Sequence, residues 1–245
     1  MSMRRTTMRD EVIPMLPPRA RDPYIAWRPP FPEPPFERGH TALLVVDMQY
    51  LDAHWDYSMC RKIRDAGFER ELLYYKDRLD LIVPNIRRLQ NAFRTAGLEV
   101  MHARIQSMTG DGRDRGPSHK RLGHFAAPQS RDAEILDDLK PAGDEMVFSK
   151  TAGSVFSSTN IEYVLRNLEI RTLVVTGVVT TGCVHTAVTE AADRGFSVAL
   201  VEDGCAALTE ELHRASIRIL RDVYAKIMRT EDVLARIAAI SSGAP

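Results

Sequence analysis

Short apolar runs alternate with longer amphipathic segments along most of this chain. The first run, Thr41 to Val46, precedes a segment from Leu72 to Thr95 whose apolar residues recur at helical spacing. Further short runs, typical of strands, lie at 98–103, 145–148, 172–176, 197–201 and 224–228. Helical patterns lie at 159–168, 183–194, 210–223 and 231–240. This alternation predicts an α/β fold, a three-layer doubly wound sheet of six mainly parallel strands with helices on both faces.

Two segments depart from the alternation. Residues 1–39 hold nine of the 14 prolines, and proline fixes φ and removes a backbone donor, so this stretch is neither a long helix nor an inner strand. Because it also carries aromatic side chains, we expect a Pro-rich N-terminal arm that lies on its own domain or on a partner subunit, with a floppy tail as the alternative. The rest, 40–245, is expected to form one domain. Residues 106–131 are polar and Gly-rich, which predicts a long loop that contacts substrate.

Composition narrows the class of protein. The 245 residues include 33 basic and 33 acidic side chains, so no broad charge favours binding to nucleic acid or to a membrane surface. The three cysteines form neither a disulfide framework nor a zinc motif, and no apolar run is long enough to span a bilayer. No glycine-rich phosphate-binding motif is present. We therefore expect a cytoplasmic protein that acts on a small molecule without a cofactor.

Three side chains with useful chemistry follow predicted strands. Asp47 ends the first strand, Lys150 follows the third, and Cys183 follows the fourth at the start of a helix, where free N–H groups stabilise a thiolate. In a parallel sheet, all three would lie on the edge where ligands bind. Taken singly, Asp47 is a common turn residue, Lys150 a solvated charge and Cys183 a small buried apolar residue. Whether they meet depends on strand order, which the pattern leaves open.

Three motifs around these side chains resemble those of the isochorismatase-like cysteine hydrolases, which include nicotinamidases, N-carbamoylsarcosine amidases, and biuret and ureidoacrylate amidohydrolases. The motifs are Val45–Gln49, Lys150–Phe156 and Thr176–Val184, and the resemblance covers about residues 40–240. It implies that 40–245 is an isochorismatase-like hydrolase domain whose catalytic triad is Asp47, Lys150 and Cys183. Relatives assemble as dimers or tetramers, so we expect a homodimer or homotetramer.

The resemblance also implies a mechanism. Asp47 would take the thiol proton and pass it to the leaving amine, Lys150 would favour the charged forms of its neighbours, and Cys183 would form a thioester-like acyl-enzyme with the substrate carbonyl. The family's non-proline cis peptide maps onto Val178–Val179. The backbone N–H groups of Val179 and Cys183 would then form the oxyanion hole.

Four residues are candidates for recognition of the substrate. Arg104 lies at the carboxyl end of a strand, where a guanidinium would bind a carboxylate. Gln49 belongs to the first motif, and Phe156 is a candidate apolar wall. Biuret-type relatives use a glutamine near the end of the last long helix, where this chain offers Tyr224 as a replacement. With the amide chemistry that the resemblance implies, Arg104 predicts a small amide or ureido substrate that bears a carboxylate.

Alternatives remain open at this point. Asp52-Ala53-His54 spells the metal-binding motif of nicotinamidases but lies only five residues beyond Asp47, so no metal is predicted. The principal hypothesis is a cysteine-dependent amidohydrolase that cleaves linear C–N bonds. Hydrolysis of an enol ether or activated ester is the second hypothesis. A catalytically silent member that serves oligomerisation or redox sensing through Cys183 is the third.

Overall fold

The part of the chain described by this computed structural model is Pro23 and residues 27–241. The chain divides into two compact units, 1–30 and 31–245. Most of the predicted arm, residues 1–22 and 24–26, lies outside the described residues. Its final part belongs to the second unit, where Pro35 O accepts a hydrogen bond from Thr172 Oγ1 at 2.6 Å. The arm and the domain boundary at residue 40 stay predictions.

A six-stranded sheet forms the centre of the second unit, and every neighbouring pair of its strands is parallel. The strand order is β3-β2-β1-β4-β5-β6, so β1 and β4 lie side by side at the middle. The strands are β1 Thr41–Val46, β2 Glu99–Ile105, β3 Met146–Lys150, β4 Thr172–Val178, β5 Ser197–Ala206 and β6 Lys226–Met228. The predicted fold class is confirmed.

Helices cover both faces of the sheet. They are α1 Tyr50–Ala53, α2 Ser58–Asp65, α3 Glu69–Thr95, α4 Pro117–Leu122, α5 Val155–Ser158, α6 Ile161–Asn167, α7 Cys183–Asp193, α8 Glu210–Leu220 and α9 Thr230–Ser241. One apolar core joins α3 and α9 to alternate strand residues such as Leu43 and Val45. A second core joins α6, α7 and α8 to the residues between them, such as Leu44 and Val46. Because both faces are buried, the strands read as continuous apolar runs.

The structure refines several predicted boundaries. α3 runs through Pro84 without ending, and begins three residues before the predicted Leu72. The predicted helix at 159–168 is α6, Ile161–Asn167, and a further short helix, α5, precedes it. Ser154 caps α5, and its Oγ accepts from the backbone N of Phe156 at 3.1 Å. The segment 106–131, predicted as a loop throughout, contains α4, with Pro117 in its first turn and left-handed Gly123 at its end.

Candidate active site

A close approach between the two central strands sets the geometry of the site. Val46 of β1 lies opposite Gly177 of β4. A Cβ at Gly177 would come within 2.0 Å of Val46 O, and the φ of Gly177 is +117°, so only glycine fits there. Asp47 follows with a φ of 51°, in the left-handed region that few residues other than glycine adopt. The carboxylate is therefore carried by a sharp turn at the end of the central strand.

The structure brings together the three side chains predicted at the strand ends. Lys150 Nζ lies 2.9 Å from Asp47 Oδ2 and 3.2 Å from Cys183 Sγ. It also donates to the carbonyl of Ala152 at 3.1 Å, so the ammonium group has three partners. The Lys150 side chain is 0 % exposed and that of Asp47 1 %. A fully buried lysine persists because the buried carboxylate balances its charge.

Burial and charge set the protonation of this cluster. Burial raises the pKa of the Cys183 thiol, and the neighbouring Asp47 carboxylate raises it further, against the opposite effect of Lys150. The pKa of Asp47 is also raised, chiefly by burial. Burial alone would lower the pKa of Lys150, but Asp47 more than offsets it and the pKa is raised. Burial and the Asp47 carboxylate thus favour the neutral thiol of Cys183, against the stabilisation of a thiolate by the helix start.

The turn that leads to Cys183 presents free backbone donors. The Val178–Val179 peptide bond is cis. Thr180 is held in place from both sides, because its N–H donates to Ala206 O at 2.7 Å and its carbonyl accepts from Ser216 Oγ at 2.9 Å. Among the described residues, the backbone N–H groups of Val179 and Cys183 have no hydrogen-bond acceptor.

Asp47, Val179 and Cys183 line a cavity of about 530 Å³. Its wall is mostly apolar, and Lys62 of α2 is a basic residue on that wall. The residues that line it come from the ends of β1 and β2, from α1, α2 and α4, and from the turn before α7; they include Asp47, Leu51, Met59, Ile63, Ile105, Leu122, Val179, Cys183 and Leu208. A small molecule would fit a space of this size.

A second polar cluster in the same cavity escaped the sequence analysis. His124 Nε2 lies 2.7 Å from Asp52 Oδ1, and the ring of His119 lies 5.5 Å from the ring of His124. Both histidines and Asp52 line the cavity. The sequence offered two signals, the position of Asp52 just after β1 and the histidines in segment 106–131, but gave no reason to connect them.

Two of the predicted substrate contacts have structural partners instead. Arg104 Nε donates to Ser149 Oγ at 3.0 Å, and its Nη1 donates to Ala133 O at 3.1 Å. Successive strand residues point to opposite faces, so Ile105 lines the cavity and Arg104 does not. Gln49 is fully buried and bonds to both the N–H and the C=O of Ile105, which ties β1 to β2. Arg104 and Gln49 therefore do not line the cavity of Cys183, where the prediction placed them.

The other two predicted contacts lie farther from the thiol. Phe156 is buried in the second core, with its ring centroid 6.1 Å from that of Phe196. Tyr224 precedes β6 at the edge of the sheet and lines a separate surface pocket with Phe31. Neither residue lines the cavity of Cys183.

His54 of the Asp52-Ala53-His54 motif points elsewhere, since its ring stacks on Tyr50 at 5.0 Å. Across Pro23 and residues 27–241, no three His, Cys, Asp or Glu side chains are grouped so that they would hold a metal ion. In that same part of the chain, no helix has the length and apolar character needed to cross a membrane.

A comparison with known proteins shows the family to which this chain belongs. Residues 41–232 match the family described as the isochorismatase domain. The chain belongs to the isochorismatase family. The family's fold and hydrolase character agree with the central parallel sheet and with the cavity at its carboxyl edge.

Individual relatives are similar over most or part of the chain. The ureidoacrylate amidohydrolase RutB of Variovorax paradoxus (strain S110) is 30% identical over 207 residues, which cover 78% of this chain and 77% of that protein. The N-carbamoylsarcosine amidase of Arthrobacter sp is 32% identical over 123 residues, 48% of this chain and 47% of that protein. A solved structure of a cysteine hydrolase from Pseudomonas syringae pv. phaseolicola 1448A shares the fold, with a TM-score of 0.73 and 24% identity over 87% of this chain and 99% of that one.

Proposed function

We propose that this isochorismatase-family hydrolase cleaves a linear amide or ureido C–N bond of a small substrate through a covalent acyl-enzyme on Cys183. The observation that carries the proposal is the position of Lys150 Nζ, 2.9 Å from Asp47 and 3.2 Å from the Cys183 sulfur, at the base of a cavity of small-molecule size. The names of the two amide-cleaving relatives support the same bond type.

Acylation begins with proton transfer. The Asp47 carboxylate, paired with Lys150 at 2.9 Å, takes the thiol proton as the sulfur attacks the substrate carbonyl. Lys150 stays charged and stabilises the sulfur anion while it forms. Asp47 then gives the proton to the departing nitrogen, the C–N bond breaks, and the acyl group remains on Cys183.

The carbonyl oxygen becomes negative during the attack. Val179 and Cys183 both line the cavity, and their backbone N–H groups have no hydrogen-bond acceptor among the described residues. They are the donors we assign to the oxyanion. Such a donor contributes about 3 kcal/mol to stabilisation of the transition state.

A carboxylate on the substrate remains part of the proposal, but with a different partner. Arg104 is committed to Ser149 and Ala133. Lys62 lies on the cavity wall and is exposed, so its ammonium group can meet a carboxylate that enters from solvent. Lys62 takes the place of Arg104 in this proposal.

The test is ammonia release from a panel of amides and ureido compounds that includes ureidoacrylate, N-carbamoylsarcosine, biuret, maleamate and nicotinamide. Wild-type protein is expected to release ammonia from at least one of them, and Cys183→Ala from none. Cys205→Ala is the matched control, because this buried thiol lies outside the cavity.

Release of ammonia by Cys183→Ala at the wild-type rate would remove the cysteine from the chemistry. If the wild type instead hydrolysed only enol ethers or activated esters, the C–N bond would be the wrong target. A reactive Cys183 that turned over none of these compounds would favour the catalytically silent alternative.

A further inference from the structure

The catalytic cavity contains a second charged pair that the cysteine chemistry leaves unused. His124 Nε2 and Asp52 Oδ1 are 2.7 Å apart, and both residues line the cavity together with Cys183. The Asp52 side chain is 6% exposed and that of His124 20%. The carboxylate is therefore buried behind the imidazole, which faces the open space.

Both members of the pair are fixed by their surroundings. Asp52 belongs to α1, and its carbonyl accepts a hydrogen bond from the buried hydroxyl of Tyr75 at 3.0 Å. His124 follows the left-handed Gly123 that ends α4, and its backbone N–H donates to His119 O at 2.9 Å. Its carbonyl accepts from Arg115 Nη1 at 3.0 Å. The imidazole is thus held in place before any substrate enters.

The position of Asp52 decides which ring nitrogen is available. A carboxylate beside Nε2 favours a proton on that nitrogen, so the neutral ring of His124 carries its lone pair on Nδ1. Among the described residues, no hydrogen-bond partner of Nδ1 is found. This is the arrangement by which a buried carboxylate prepares a histidine to accept a proton from a third group.

Charged groups around the ring support this state. Burial disfavours the charged ring, but Asp52, with a smaller effect from Asp47, outweighs burial and the repulsion by Lys150, so the pKa of His124 is raised. The pKa of His119 is lowered to about 4 by burial, by Lys150 and by His124, so that neighbour is neutral near pH 7. Of these two histidines, His124 is the one whose pKa is raised.

The pair of His124 and Asp52 differs from Asp47 in how easily water reaches it. Both carboxylate oxygens of Asp47 are buried, and its side chain is 1% exposed. Once an acyl group is attached to Cys183 Sγ, that group covers the base of the cavity. Water then reaches the thioester through the cavity, whose wall includes His124.

We propose that His124, positioned by Asp52, is the base that activates the water which resolves the acyl-enzyme. This inference rests on the proposed function. The water oxygen bonds to the thioester carbon while one of its protons passes to His124 Nδ1. The C–S bond breaks, its electron pair returns to the Cys183 sulfur beside Lys150, and the acid product leaves. His124 then returns the proton to the sulfur, which restores the thiol.

The experiment uses p-nitrophenyl acetate as a chromogenic acyl donor with the full-length protein. Acylation appears as a burst of p-nitrophenol, and deacylation sets the steady-state rate. His124→Gln and Asp52→Asn are expected to keep the burst and to slow the steady state by at least tenfold, within the roughly 10²–10⁴-fold range of general base catalysis. Intact-mass measurement should then show an acetyl group that accumulates on Cys183.

The pH profile and two controls complete the test. Because His124 must be neutral to accept the proton, the wild-type steady-state rate should fall as pH drops through its raised pKa, and His124→Gln should lack that dependence. His54→Gln, a histidine outside the cavity, should behave as wild type. A His124→Gln variant with the wild-type steady-state rate and pH profile would overturn this inference alone. Absence of any burst in the wild type, beyond that of Cys183→Ala, would overturn the proposed function and this inference with it.

Discussion

Cys183 combines two influences that oppose each other. It begins a helix, where free N–H groups favour a thiolate, yet it is half-buried beside the Asp47 carboxylate, and burial and that charge favour the thiol. The second influence dominates, since the pKa of the thiol is raised. In the proposed mechanism, the nucleophile is therefore made when Asp47 removes the proton, rather than stored as a permanent anion.

This balance gives Asp47→Asn two opposite effects. Loss of the base should lower amide turnover by about 10²–10⁴-fold. The same change removes the charge that raises the thiol pKa and leaves Lys150 beside the sulfur, so the thiol pKa should fall. Alkylation of Cys183 by iodoacetamide at pH 7 should consequently become faster.

Turnover and alkylation are measured on the same preparations, with Cys183→Ala as the blank. Cys60 and Cys205 contribute little, because burial raises the pKa of each to about 12. Slower alkylation in Asp47→Asn would contradict the assigned electrostatics.

Lys62 offers a residue-scale test of substrate charge. Lys62→Ala should raise KM for ureidoacrylate and N-carbamoylsarcosine, which carry carboxylates, and leave KM for uncharged nicotinamide or biuret unchanged. The kcat of each reaction should change little, since Lys62 lies on the wall of the cavity and the triad is at its base. Lys76→Ala, an exposed lysine paired with Asp80, serves as the control. Equal KM changes for charged and uncharged substrates would refute the assignment.

Which residues could be predicted from sequence depends on where their side chains point. Asp47, Lys150 and Cys183 were placed on one edge by the rule that ligands bind at the carboxyl ends of parallel strands. Arg104 was assigned by the same rule, but it faces the other side of the sheet, and a strand end shifted by one residue reverses that orientation. Asp52 and His124 meet only because α1 and the end of α4 converge, which no local pattern encodes.

Among the elements, the contact between β1 and β4 is the most demanding. Val46 and Gly177 face each other so closely that a methyl group at Gly177 would overlap Val46 O. The pattern of apolar residues predicted both strands, since period and composition are local properties. It could not predict that they are adjacent, because the order of strands arises from long-range packing.

Gly177→Ala should therefore destabilise the protein by about 3 kcal/mol or more, through overlap with backbone atoms and a disfavoured φ. Urea denaturation followed by circular dichroism measures the change. Gly195→Ala is the matched control, since Gly195 also has a positive φ but a Cβ there meets nothing within 4 Å. Equal losses in the two variants would show that φ alone, and not the contact with β1, sets the cost.

At the scale of the whole molecule, we propose a homodimer or homotetramer. Leu212 and Ile219 lie seven residues apart on α8, so they share one face of that helix, and they are 46% and 55% exposed. Light scattering should give a multiple of the 27.6 kDa chain mass.

Ile219→Lys should shift that assembly towards the monomer, because a charge would replace an apolar contact. Leu73→Lys, which changes an apolar side chain on α3 that is 48% exposed, is the control. A monomeric wild type, or equal shifts in both variants, would reject α8 as the interface.

The order of the strands also has a kinetic consequence. Asp47 follows β1 and Cys183 follows β4, its neighbour in the sheet, although α3, β2 and β3 intervene along the chain. Parallel strands that are far apart in sequence pair slowly, because the entropy cost of closing the long intervening chain comes before the stabilising contacts between the strands. A nascent or partly refolded chain therefore lacks the complete cluster of Asp47, Lys150 and Cys183. The first turnover of a newly made molecule reports that its central sheet is complete.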